Sequence, residues 1–199
     1  AMAFLSPKEF RRFRLQPGTD CSAVDTGVDV RGPLVADLAG KGFLGGEPVF
    51  SVETDKFCRL RMQFDELDAS ALPDGAPPEL AGLSILLEGH RADGTPFVVR
   101  SRMTGELRLG TASGAFPLPT KDQGLIVGIE IARAIDELDL DTLPGNPIEI
   151  DDTSNVDRLQ AFEEAVKTAT SLFRDENDDG DLSPGETESS NEIGHAEPE

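Results

Sequence analysis

Residues 57–67 read Phe-Cys-Arg-Leu-Arg-Met-Gln-Phe-Asp-Glu-Leu, and their alternation decides the class of fold. Cys58, Leu60, Met62 and Phe64 fall on one side of an extended chain, while Arg59, Arg61 and Gln63 fall on the other. Successive side chains of a strand point to opposite faces, so this segment is a half-buried strand with one wet side. Upstream, residues 48–53 alternate around Val49, Phe50 and Val52. Downstream, residues 83–91 and 95–103 flank Ala92-Asp93-Gly94, and Asp-Gly is a strong hairpin signal. Residues 106–109 and 115–118 add short strands, and 125–131 form an apolar inner strand running into a short helix at 132–138. Strands recurring at intervals of about ten to twelve residues, joined by Gly, Pro and Asp turns, predict a mainly β chain. The expected architecture is an antiparallel β-sandwich with one or two accessory helices. Helices that do not alternate with strands exclude a doubly wound α/β fold. Residues 8–15 read as an edge strand guarded by charge, and 17–46 as Gly-rich loop.

The C-terminal third changes character. Val156, Leu159, Phe162, Ala165, Val166, Ala169, Leu172 and Phe173 recur at threes and fours, which predicts an amphipathic helix of about five turns over 156–173. Ser154 suits its N-cap, with Asp157 in the first turn. The helix leads into residues 175–186, Asp-Glu-Asn-Asp-Asp-Gly-Asp-Leu-Ser-Pro-Gly-Glu, which fit D-x-N-x-D-G-x5-E without a departure. Calcium takes six to eight oxygens in a loose geometry, and this spacing supplies them. Asp175, Asn177 and Asp179 offer side-chain oxygens, Asp181 its carbonyl, Ser183 a water-mediated contact and Glu186 both carboxylate oxygens. Gly180 allows the sharp turn and Leu182 is the inward anchor. An acidic run fills the acidic positions cheaply, but Gly180 and Leu182 are not acidic and still fall in place.

This stretch resembles the calcium loop of the EF-hand family, and the resemblance implies Ca2+ held by Asp175, Asn177, Asp179, Asp181 and Glu186. The resemblance is to half an EF-hand. Arg174 stands where an aromatic residue is usual, with Phe173 one place earlier. Beyond Glu186 the chain has a single large apolar residue, Ile193, so residues 187–199 read as an acidic, disordered tail instead of an exit helix. Sensor EF-hands work in pairs that open a Met-rich groove. A lone loop with none of the three Met nearby reads as a structural clip. The organisation expected is a sandwich over 1–152, a helix and calcium loop packed on it over 153–186, and the tail over 187–199.

Charge narrows the partners. The chain of 199 residues has a net charge of −20, and residues 175–199 hold ten acidic residues with no Lys or Arg. The remainder holds 28 acidic and 18 basic residues, or −10 over 174 residues, so the charge is unevenly placed. Such a surface repels phosphate backbones and anionic headgroups, which excludes nucleic acid and membrane-surface binding. No apolar run is long enough for a transmembrane helix. Ala1-Met2-Ala3-Phe4-Leu5 is too short for an export signal and reads as a leftover start ahead of a mature chain.

Cys21 and Cys58 are too few for a structural zinc site, and in a cytosolic protein they would be free thiols. Weak calcium loops suit compartments with millimolar calcium, outside the cytosol. In that extracytoplasmic setting (periplasm, cell surface or medium) the two cysteines would pair. The strand series, Ile129-Glu130-Ile131, the helix and the Asp/Asn/Gly-rich end are together similar to exported β-sandwich lipoproteins of Gram-negative bacteria, over most of residues 45–186. The lipid-bearing N-terminal Cys of those proteins has no counterpart here, since Cys21 is internal.

Catalytic groups are sparse. His90 borders the Asp-Gly hairpin and His195 lies in the tail, and no hydrolase, kinase or metalloprotease motif is present. Glu66/Asp68 and Asp136/Glu137/Asp139/Asp141 are carboxylate pairs, but no Trp or Tyr offers a sugar platform. Asp139, Asp141, Asp151 and Asp152 flank a Pro-Gly loop and offer either a second cation site or an acidic loop that caps the next helix. The expected role is therefore non-catalytic: a calcium-clipped exported module that binds a protein or cell-surface partner. The alternative is a structural subunit that self-associates into a surface assembly by strand pairing.

Overall fold

The alternation of residues 57–64 is realised as a nine-residue strand, Lys56–Phe64, inside one of two sheets. A computed structural model describes residues 2–5, 12–18, 21, 27–32, 34–38, 42–44, 55–111, 114–117, 124–175 and 191–197. In chain order the strands are β1 (Met2–Leu5), β2 (Arg12–Pro17), β3 (Val28–Arg31), β4 (Val35–Asp37), β5 (Gly42–Leu44) and β6 (Lys56–Phe64). Then come β7 (Ile85–His90), β8 (Pro96–Ser101), β9 (Gly105–Gly110), β10 (Phe116–Pro117) and β11 (Leu125–Ile129). Helix α1 (Ile131–Asp136), strand β12 (Ile148–Ile150), helix α2 (Val156–Thr168), β13 (Thr170–Arg174) and β14 (Glu192–Glu197) follow.

One sheet has the order β12-β8-β7-β1-β4-β5; the other runs β11-β13-β14-β9-β6-β2-β3, with β10 paired onto β6. Pairings are antiparallel except β12 with β8. The main core lies between the sheets: Ile85, Leu87, Phe97 and Val99 of the first face Leu60, Met62, Leu107 and Leu109 of the second, with Leu159, Phe162 and Val166 of α2. A smaller core on the other side of the first sheet joins Leu86 and Val98 to Val35, Leu67, Leu80 and Leu83. Burial on both faces explains why β7 begins with an uninterrupted Ile-Leu-Leu. The protein is a mainly β, antiparallel sandwich with two helices.

The β7–β8 hairpin turns on Asp93-Gly94, where Gly94 has φ +87°. Cys21 and Cys58 form a disulfide, with Cα atoms 5.1 Å apart. A register shift opposite Gln16 and Pro17 leaves Cys58 out of the β2–β6 ladder. That extra residue reverses the parity, so Phe57, off the core face by simple alternation, is fully buried and packs on Phe116 at 6.2 Å.

Several sequence expectations are corrected. Helix α2 stops at Thr168, and residues 170–174 form strand β13 between β11 and β14. Ala169, Leu172 and Phe173 fit a helical period locally, but here Thr170 and Leu172 face inward as a strand. The tail is corrected too. Residues 192–197 are β14, an internal strand with Ile193 buried, not disordered chain. Gly194 makes this possible, because a Cβ there would collide with the backbone of Gly110 on β9. Residues 2–5 are an internal strand between β7 and β4. Strand β2 is flanked by β3 and β6, so it is not an edge, and the supposed loop 17–46 holds β3, β4 and β5. The strand expected at 48–53 lies outside the described residues.

Candidate metal centre

The calcium-type segment sits between two strands, not after a helix. Leu172 pairs with Gly194 and Phe173 with Glu192, and the Arg174 N–H donates to the Asn191 carbonyl at 3.1 Å. The elements entering and leaving the segment are therefore the arms of an antiparallel hairpin. β11 and β9 flank this hairpin on either side, so neither arm is a sheet edge.

Asp175, the first predicted ligand, is fixed where β13 ends. Its N–H donates to the Gly124 carbonyl at 3.1 Å, and the residue is 4% exposed. Gly124 makes room for it, since a Cβ there would lie 2.9 Å from both Cβ and Oδ2 of Asp175. Asn191, across the hairpin mouth, is also buried. Buried carboxylates require hydrogen bonds or a cation, so the chemistry of this position fits a ligand role. Asn177, Asp179, Asp181 and Glu186, with Gly180, Leu182 and Ser183, lie outside the described residues. Among the described residues no group of three or more His, Cys, Asp or Glu is gathered to hold a metal ion.

The four carboxylates weighed for a second cation are each engaged otherwise. Asp151 accepts from the Thr153 hydroxyl at 2.7 Å and from the N–H groups of Thr153 and Ser154, each at 2.8 Å. The Thr153 hydroxyl is the main reason its carboxyl is held below the usual range. Asp152 pairs with Arg102 at 3.0 Å, Asp139 with Arg158 at 2.8 Å and Asp141 with Arg91 at 3.4 Å. The cap of α2 is Asn155, not Asp152 or Ser154; it is left-handed at φ +55°. Its side-chain amide donates to the Glu149 carbonyl at 2.7 Å, which occupies a backbone group of edge strand β12.

His90 is exposed at the β7–β8 hairpin. His195 lies on β14, 3.1 Å from the Ser171 hydroxyl and 2.7 Å from Glu192 Oε1. Both contacts fall on the same ring nitrogen, Nδ1. A proton relay needs a different partner on each nitrogen, so this Ser/His/Glu group lacks the geometry of a triad.

The hollow beside the disulfide, lined by Cys21, Cys58, Arg59, Arg108, Gly110 and Thr111, has room for about 20 Å³. That holds roughly one water and falls far short of a small-molecule pocket. No described helix is long and apolar enough to cross a membrane. Compared with known proteins, the chain matches no family model, no curated protein and no solved structure.

Proposed function

We propose that this chain is an exported, calcium-binding β-sandwich module with a non-catalytic binding role, in which Ca2+ clips the β13–β14 hairpin. The observation that carries the reading is the coincidence of a complete D-x-N-x-D-G-x5-E spacing with a hairpin mouth that anchors its first ligand, Asp175. Arg174 and Asn191 hold the ends of the segment together, so part of the entropy of closing the loop is already met. Seven acidic residues and no Lys or Arg between 175 and 188 repel one another, and a divalent cation relieves that repulsion. Strands held within a sheet cannot swing apart as paired helices do, which favours a clip over a sensor. The Cys21–Cys58 bridge supports an oxidising, extracytoplasmic setting.

Melting in calcium and in excess chelator tests the reading. At a hundredfold excess over Kd, a ligand that binds only the native state contributes about 2.7 kcal/mol. For a chain of this length that is about 5–10 °C in the midpoint. Asp175→Ala and Glu186→Ala are each expected to remove the difference between the two conditions. Identical wild-type midpoints would sink the proposal.

One observation favours the self-associating alternative. The segment Leu125-Ile126-Val127-Gly128-Ile129 of β11 carries no charge or Pro, and its strand pairing among the described residues is with β13 alone. Unguarded apolar edges pair readily with other chains. Light-scattering mass after size exclusion, with and without calcium, decides it: a dimer or larger species that a charge at Val127 (Val127→Lys) disperses is expected, and a monomer throughout rules it out.

A further inference from the structure

Register decides which backbone groups of β11 are already used. The Gly124 carbonyl accepts from the Asp175 N–H at 3.1 Å, and the Glu130 N–H donates to the Ala169 carbonyl at 3.0 Å. Between them Leu125 to Ile129 run antiparallel to residues 170–174 of β13. Bonded and non-bonded pairs alternate along such a ladder. Ile126 and Gly128 therefore bond to β13, while Leu125, Val127 and Ile129 turn their N–H and C=O groups away from it. β11 ends its sheet, and among the described residues those outward groups have no backbone partner. All of β11 is half-buried, so water reaches the strand.

The other three sheet ends are guarded. β12 carries Glu149, whose carbonyl is held by the Asn155 amide at 2.7 Å; β3 carries Asp29 and Arg31; and β5 is three residues long. Charge, capping side chains and shortness are the usual ways of closing a sheet end to other chains. β11, Leu-Ile-Val-Gly-Ile, has none of them. Its inner side chains, Leu125, Val127 and Ile129, pack on the main core only in part. A strand laid beside β11 would set its alternate residues against those side chains and finish their burial.

Charge at both ends of β11 selects what lies there. Beyond Ile129 stand exposed Glu130, Asp136 and Glu137, with Arg133 the one basic residue in 130–137. At the other end Leu125 pairs with Arg174, after which the chain enters the acidic run that begins at Asp175. A second copy would supply a matching neutral strand, but it would set a net charge of −20 against −20 and acidic ends against acidic ends.

We propose that β11 takes an extended segment of a partner protein as an added strand, apolar at alternate positions and flanked by Lys or Arg. Main-chain hydrogen bonds to Leu125, Val127 and Ile129 supply affinity, and the alternate apolar side chains settle on the half-covered inner residues. The basic flanks meet the acidic ends and set the choice of partner. This docking rests on the binding role proposed above, but not on calcium.

Fluorescence anisotropy with the full chain, in calcium-containing buffer of physiological salt, tests this with the labelled peptide Lys-Lys-Val-Thr-Val-Thr-Val-Lys-Lys. Saturable binding is expected. Pro in place of the central Val of the peptide breaks its strand without altering its charge and should weaken binding about tenfold or more, as should Glu in place of its Lys residues. Val127→Pro removes an outward N–H on the protein side, where an edge strand tolerates Pro, and should also weaken binding about tenfold. If Val127→Pro fails to fold, the Pro peptide carries the comparison. No saturable binding by a chain that still melts higher in calcium overturns the added strand and leaves the calcium clip standing. Equal affinity for the Pro peptide overturns it too, since binding is then by charge alone. A dimer that Val127→Pro disperses and the peptide does not displace overturns it in favour of a second copy.

Discussion

Replacing Cys58 with Ser, or reducing the Cys21–Cys58 bridge, is expected to lower the melting midpoint by about 8–16 °C. The bridge spans 37 residues of separation, and closing a loop of that size stabilises the native state by roughly 4 kcal/mol in the chain-entropy model. The loop is not idle chain. It contains the short strands β3, β4 and β5, of which β3 and β5 are edges of the two sheets and β4 joins β5 to β1. Strands of three or four residues bury little, so their attachment depends on restricting the unfolded chain. Differential scanning calorimetry with and without a dithiol reductant, beside the Cys58→Ser variant, measures the effect. A wild-type midpoint unmoved by complete reduction, checked by thiol titration, would show that these strands hold without the bridge.

Phe162→Ala is expected to cost about 3–5 kcal/mol, the range for truncating a fully buried aromatic side chain. Phe162 is 0% exposed and lies on the inner face of α2, with Leu159, Ala165 and Val166. That face joins the core shared by both sheets, where Ile148 and Ile150 of β12 and Ile193 of β14 also pack. The helix therefore packs on β8 and β12 of one sheet and β14 of the other, and a cavity there is felt by strands far apart in the chain. Glu164→Ala, on the exposed side of the same helix, should change stability by no more than about 0.5 kcal/mol. Urea unfolding of the two variants gives the comparison directly. Equal midpoints would mean that α2 is not packed on the sheets.

What was legible before folding follows from the range of the interactions. The alternation through Leu60, Met62 and Phe64, and the Asp93-Gly94 turn, are written in neighbouring residues, so β6 and the β7–β8 hairpin are readable from the chain. The segment 169–173 is not, because Ala169, Leu172 and Phe173 satisfy a helical period while the chain there is a strand with Thr170 and Leu172 inward. Its state is decided by the places waiting for it beside β11 and β14. The acidic end misleads for a related reason. One Ile in a polar tail looks insufficient to order it, yet Gly194 lets the backbone approach Gly110, and the hydrogen bonds of two neighbouring strands supply the rest.

The candidate sites divide the same way. The spacing of Asp175, Asn177, Asp179, Gly180 and Glu186 is local chemistry and needs no fold to be recognised. Its setting, a hairpin mouth with Asp175 seated against Gly124, depends on β11 lying beside β13. Leu125 to Ile129 reads from the sequence as an apolar inner strand, but nothing local says that it ends its sheet with the N–H and C=O of Val127 turned outward. The sequence by itself determined the β class, the D-x-N-x-D-G-x5-E spacing and the overall acidity, because each depends on residues close in the chain or on composition alone. Only the tertiary structure decided the internal places of β1, β13 and β14, the seat of Asp175 and the open side of β11, because strand register joins residues tens of positions apart and is settled by the packing of both sheets together.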